Sequence, residues 1–206
     1  MSILKSLFKE FIQPIIPKGP SPAFSLVHLI KTLLILESES MGRQSLSRAL
    51  NLGEGSVRTI IKRLSEKGLI SIDPVGGCYL TELGLDFVKK IREIIIAEKE
   101  IDLKPLGISS PAWAIHVRPT TEINITKLRD IAVKNGADGM LIFSYKDLKI
   151  SLPLVYDDIS KDYPEISSLL SKSFELKNGD LIFVGFAENI KLAELGTFAA
   201  AISLLL

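Results

Sequence analysis

The chain has 206 residues, 47% of them hydrophobic and 24% charged, with a formal net charge of +1. That balance belongs to an ordinary globular protein and excludes a largely disordered or collagen-like chain. A single cysteine, Cys78, excludes an intramolecular disulfide and fits a reducing, cytoplasmic setting. The distribution of charge is more informative than its total. Residues 1–100 carry 14 Lys/Arg against 11 Asp/Glu, whereas the remainder carries 11 against 13. The sharpest excess lies between Met41 and Ile72, where Arg43, Arg48, Arg58, Lys62, Arg63 and Lys67 are opposed only by Glu54 and Glu66. A basic segment in a balanced chain is the footprint expected for a polyanion.

In chain order, Ile3, Leu4, Leu7, Phe8, Phe11 and Ile12 recur at helical spacing and predict a short amphipathic helix. Lys5, Lys9 and Glu10 interrupt its apolar run, so neither a signal peptide nor stable membrane insertion is expected. Pro14, Pro17, Gly19, Pro20 and Pro22 then form a stiff connector. Helices are expected at about 25–37, 43–50 and 54–67, the last stopped by Gly68. Two strands follow, 69–73 and 78–81, joined by Pro74-Val75-Gly76-Gly77. Thr81 can cap a further helix, whose apolar spacing runs on to about Glu100. The Pro- and Gly-containing stretch 103–111 reads as a domain boundary. Beyond it the order is β-α-β-β-α-β-α: strands at 112–117, 140–145, 149–152 and 181–187, and helices at 122–135, 164–174 and 190–206. The expected fold is therefore α+β, with three segments. Residues 1–23 are the amphipathic helix and connector, 24–102 a helical domain with a hairpin and a long last helix, and 112–206 a two-layer α/β sandwich of ferredoxin-like or related strand order.

In the segment GEGSVRTIIKRLSEKGLI, Val57, Ile60, Ile61 and Leu64 fall at i, i+3, i+4 and i+7 and form one buried stripe. Ser56, Arg58, Thr59, Lys62 and Arg63 then occupy the opposite side. A helix that enters the DNA major groove needs this division, with aliphatic residues anchoring it from behind and basic and hydroxyl side chains in front. Arg43 and Arg48 can meet phosphates from the preceding helix, and the small hairpin tip at Gly76 and Gly77 can run along a backbone or minor groove. Residues 42–84 resemble the winged helix-turn-helix domains of bacterial and archaeal transcriptional regulators, through the helix-turn-helix, the Leu64-x-x-Lys67-Gly68-Leu69-Ile70 exit and the Tyr79-Leu80-Thr81-x-x-Gly84 end of the wing. The whole layout also resembles an uncharacterised archaeal family with an N-terminal winged helix and a C-terminal α/β domain. The resemblance implies a DNA-binding regulator rather than an enzyme, with double-stranded DNA as partner.

Other constellations are weaker. His116 and Arg118 share a strand face and could hold an anionic effector, although a hydrogen-bonded sheet position explains them as well. Asp157, Asp158 and Asp162 are close in sequence, but a solvated loop commonly has this composition, so no metal and no cofactor is expected. His28, within an apolar helix, reads as structural. The apolar terminal stretch 196–206 and the isoleucines at 91 and 94–96 exceed what one helix face needs, which points to a homodimer. Two rival readings remain: an enzyme with a regulatory winged helix, laid out like archaeal riboflavin kinases, and a winged helix that binds protein.

Overall fold

The computed structural model describes residues 23–120 and 122–206. The amphipathic helix expected at 3–12 and its proline connector lie outside the described residues. The chain divides into two units, one ending at Ile91 and the other beginning at Arg92.

The first unit contains α1 (Leu26–Ser38), α2 (Arg43–Leu50), α3 (Glu54–Glu66), a hairpin of β1 (Ile70–Asp73) and β2 (Gly77–Leu80), and α4 (Glu82–Arg92). Ser25 and His28 start α1: the Ser25 amide donates to His28 Nδ1 at 3.1 Å, which closes the helix end with a side chain and supports the structural reading of His28. Asn51, in the left-handed region at φ 53°, ends α2 and turns the chain into α3. The hairpin is tied back to the segment before α2. Met41 and Cys78 exchange both backbone hydrogen bonds, at 3.0 and 2.8 Å. Gly77, at φ +84°, is required here, because a Cβ would sit 2.6 Å from the Met41 carbonyl carbon and 2.7 Å from the Gly42 nitrogen.

Thr81 and Gly84 have equally local reasons. The Thr81 hydroxyl donates to the Gly68 carbonyl at 2.6 Å and accepts from the Gly84 amide at 3.0 Å, so one side chain closes the end of α3 and caps α4. A Cβ on Gly84 would lie 2.0 Å from the Leu69 carbonyl oxygen.

The helix expected to reach Glu100 stops at Arg92, and Ile95–Ile101 forms β3 instead. Ile91, Ile94 and Ile95 imitate a helical stripe, but β-branched residues lose little in an extended chain, and a complete partner strand is available. β3 pairs antiparallel with β4 (Ala112–Val117), from Ile101 opposite Ala112 to Ile95 opposite Val117, with a register shift between Ile95 and Ala97. The boundary therefore falls before β3, not within 103–111.

The second unit continues with α5 (Ile125–Lys134), β5 (Gly139–Lys146), β6 (Lys149–Ser151), α6 (Pro164–Ser173), β7 (Leu181–Phe186) and α7 (Ile190–Ile202). Five strands form one antiparallel sheet in the order β3-β4-β7-β5-β6. The α+β class is as expected. The ferredoxin-like order is not observed, because β7 inserts between β4 and β5 and β3 adds an edge. On one sheet face Ala112, Ala114, Phe143, Ile182 and Val184 pack with Ile166, Leu170 and Phe174 of α6 and its end. The other face is covered by α7, against β4 and β7, and by α5.

Ala193 and residues 196–202 of α7 are buried within this unit, and Ile95 is fully buried in β3. The apolar excess that suggested a dimer interface is thus largely core, and the terminal stretch ends in a short 3-10 turn, Ser203–Leu205.

Replacing Gly84 with Ala should lower the stability of the first unit by at least about 2 kcal/mol, because a backbone carbonyl cannot retreat as a side chain can. Urea denaturation followed by circular dichroism measures it, and an unchanged midpoint would contradict the packing.

Candidate nucleic-acid interface

α3 is positioned by its buried side. Val57, Ile60 and Leu64 are fully enclosed and Ile61 is nearly so, and the helix packs on α1, α2 and β1. Burial of each such side chain contributes about 1.5–3 kcal/mol, which fixes the rotation of the helix about its axis. Arg58, Thr59 and Lys62 consequently lie exposed on the other side, with Ser56 half-buried beside them. Gly53 precedes the helix without a side-chain cap, and its carbonyl accepts from the Ser56 and Val57 amides.

The basic residues expected to act together divide into distinct environments. Thr59 Oγ1 donates to the Gly55 carbonyl at 3.1 Å, which leaves the oxygen's lone pairs unused by that bond. Lys62 Nζ lies 3.8 Å from Glu66, one turn on, a loose pair with both groups mostly in solvent. Arg63 is only half exposed: its guanidinium lies 5.0 Å over the Phe24 ring, so its charge sits at the edge of the α3 face, stacked on an aromatic. Arg43 Nε meets Glu54 Oε2 at 3.0 Å, joining the starts of α2 and α3. With both side chains over 40% exposed, such a pair contributes about 0.2–1 kcal/mol. Arg48 is exposed on α2.

The hairpin departs further from expectation. Between Ile70 and Leu80 it carries no Lys or Arg. Asp73 Oδ1 accepts from the amides of Val75 at 2.8 Å and Gly76 at 2.6 Å, so these amides are already satisfied by a carboxylate of the chain itself. The same two amides, Gly76 foremost, hold the Asp73 carboxyl below its ordinary range and keep the tip negative. Gly77 lies so close to the backbone of Met41 and Gly42 that a side chain there would collide with it. The tip at which Gly76 and Gly77 are expected to meet a phosphate backbone presents an anion and the apolar Val75, 97% exposed, with the Val75 and Gly76 amides bonded to Asp73.

His116 and Arg118 are brought together, but around an anion the sequence reading missed. Asp180, just before β7, is 1% exposed. Its carboxylate accepts from Arg118 Nε at 2.8 Å and Nη2 at 2.9 Å, from the Lys177 amide at 2.8 Å, and from His116 Nε2 at 2.7 Å. An ionised carboxylate only accepts, so Nε2 carries the hydrogen of this contact. Burial raises the Asp180 carboxyl, but the Arg118, Lys177 and His116 hydrogen bonds together outweigh it and hold the group below the ordinary carboxylate range. The ring of His116 is also buried, 5.7 Å from that of Phe174. The anion that His116 and Arg118 could hold is internal, and the cluster ties β4 to the start of β7. Nothing local in the sequence signals a pairing across 62 to 64 residues.

Asp158, one of the loop acids, accepts from the Ser160 hydroxyl and amide at 2.6 and 3.0 Å and so closes a turn of its own. An open depression of about 420 Å³ in the second unit is lined by Glu100, Asp102, Lys104, Ser109 and Ser110, and includes neither His116 nor Arg118. Among the described residues no helix is long and apolar enough to cross a membrane.

Comparison with known proteins follows the same division. Residues 26–86 match the model of the PH0730-like N-terminal domain, and residues 108–204 match a domain of unknown function, DUF4443. The fold is similar to that of a solved structure, hypothetical protein PH0730 from Pyrococcus horikoshii OT3, with a TM-score of 0.73 and 28% identity over 88% of this chain and 92% of that one. The two halves support an uncharacterised, archaeal-type two-domain family. No curated protein matches the chain. Neither domain description names a ligand, a partner or a reaction.

The Asp180 cluster gives a pH prediction. Because the folded carboxyl is held below its unfolded value near 3.8, its contribution is complete above that value and is lost as pH falls through the lower, folded one. Asp180→Asn should cost about 2–4 kcal/mol at neutral pH, the lower end reflecting an Arg118 side chain that is 38% exposed. Denaturation from pH 6 to pH 2 should show a shallower acid loss in the variant, and parallel curves would contradict the assignment.

Proposed function

We propose that the protein binds double-stranded DNA through α3 and acts as a transcriptional regulator. In this reading the first unit is a winged helix-turn-helix, α3 is the recognition helix, and the β1–β2 hairpin is a wing that stays off the phosphates. The observation that carries it is the exposed row Arg58, Thr59 and Lys62, with half-buried Ser56 beside it, on the side of α3 opposite Val57, Ile60, Ile61 and Leu64. Hydroxyl and cationic groups one turn apart on a helix anchored from behind suit a major groove, where arginine pairs with guanine O6 and N7. Arg58 is the cation of α3 nearest the helix start, the part that meets base edges, and Arg48 on α2 suits a phosphate. Arg63, stacked on Phe24, contributes at the rim. One recognition helix per chain makes the contact, whatever the number of chains bound. The second unit, with its own complete core, is the place for sensing a small molecule or for assembly.

Duplex affinity should fall steeply with salt, because each neutralised phosphate contributes a slope of about −0.9 in log affinity against log salt. Arg58→Ala should relax base preference at one position by roughly 1–3 kcal/mol of discrimination, whereas Arg48→Ala should weaken all sequences alike and reduce the salt slope. Fluorescence anisotropy with duplexes of varied sequence separates the two effects. An absence of duplex binding even at low salt would contradict the proposal.

A further inference from the structure

The first residue of α3 is acidic, and on a face that meets a polyanion this calls for a reason. Glu54 complements the positive end of the helix dipole, as carboxylates in a first turn do. That role does not require the partner it has. Glu54 Oε2 lies 3.0 Å from Nε of Arg43, which starts α2, where a cation could otherwise reach a phosphate. The nearby cations do not take Arg43's place, since Arg63 is stacked on Phe24 and Lys62 leans to Glu66. The start of a recognition helix also meets base edges, and a carboxylate there can only accept. In the major groove the amino groups of cytosine and adenine donate, whereas guanine O6 and N7 and thymine O4 repel it.

Resting on the reading that α3 enters the major groove, we infer that Glu54 is a specificity-determining residue that withholds Arg43 from DNA until the correct base is present. On non-cognate DNA the carboxylate keeps Arg43 paired. On a cognate site a base amino group, cytosine N4 above all, takes over the carboxylate, and Arg43 turns to a phosphate. The pair is exposed on both sides, 42% and 48%, so it opens readily when better partners arrive. Discrimination of this kind works by disfavouring wrong sites as much as by attracting the right one.

The test uses the full chain as wild type, Glu54→Ala, Glu54→Gln and Glu54→Ala with Arg43→Ala, each checked for folding by circular dichroism. Two quantities are measured: affinity for random-sequence duplex over a salt series, and base preference by selection from a randomised duplex pool. Glu54→Ala should bind random duplex roughly threefold to tenfold more tightly, with a slope steeper by about 0.9, the signature of one added phosphate contact. It should also lose a cytosine preference at one position. Adding Arg43→Ala should restore the wild-type slope. Glu54→Gln, which keeps the shape but not the charge, should share the steeper slope and stands in for Glu54→Ala should that variant misfold. Equal slopes for wild type and the Glu54 variants, or an unchanged base preference, would overturn the inference and leave duplex binding intact. No binding by any of the proteins at low salt would overturn both.

Discussion

The burial of Val57, Ile60, Ile61 and Leu64 under α3 is the constraint on which the rest of the first unit depends. Four aliphatic side chains on one stripe give the helix a single favourable rotation, because turning it by a residue would expose two or more of them to water. Everything on the outer face inherits its direction from that burial: Arg58, Thr59 and Lys62 face solvent together because the other side has no alternative. The hairpin and α2 hold the same helix from its two ends. The Met41–Cys78 bridge fixes the hairpin to the strand-like segment before α2, and Thr81 fixes the α3 exit to the α4 start.

Electrostatics then divide the outer face more finely than composition does. Six basic residues between 41 and 72 look alike as a count, yet one is ion-paired at a helix start, one is stacked on an aromatic, and one leans to an acid a turn away. The hairpin tip, small and flexible as a sequence, closes upon itself through Asp73, and its amides are no longer available to an anion. In the second unit the same logic recurs. His116 and Arg118 have already found their carboxylate in Asp180, and a satisfied buried carboxylate of this kind holds a sheet together.

What was legible in the sequence was what short-range physics decides. Helices α1 to α3, the hairpin, and the strands and helices from Ala112 onward follow from apolar period, glycine and proline stops and caps. β3 was not legible, because isoleucines at 91, 94 and 95 satisfy a helical period as well as a strand, and only the partner at 112–117 decides between them. The strand order was hidden for the same reason: β7 enters between β4 and β5 through pairings more than 35 residues apart. At the candidate interface the outward row on α3 could be read from the stripe behind it. The partners Glu54, Phe24, Asp73 and Asp180 could not, since a charge run does not say which of its members meet one another.

Amide chemical-shift mapping of the full chain, titrated with a short duplex at low salt, tests the account most directly. Perturbations should gather on residues 54–63 of α3 and on the start of α2, while the amides of Val75 and Gly76, bonded to Asp73, stay in place. Perturbations centred on the hairpin tip or on the second unit, with α3 silent, would contradict it.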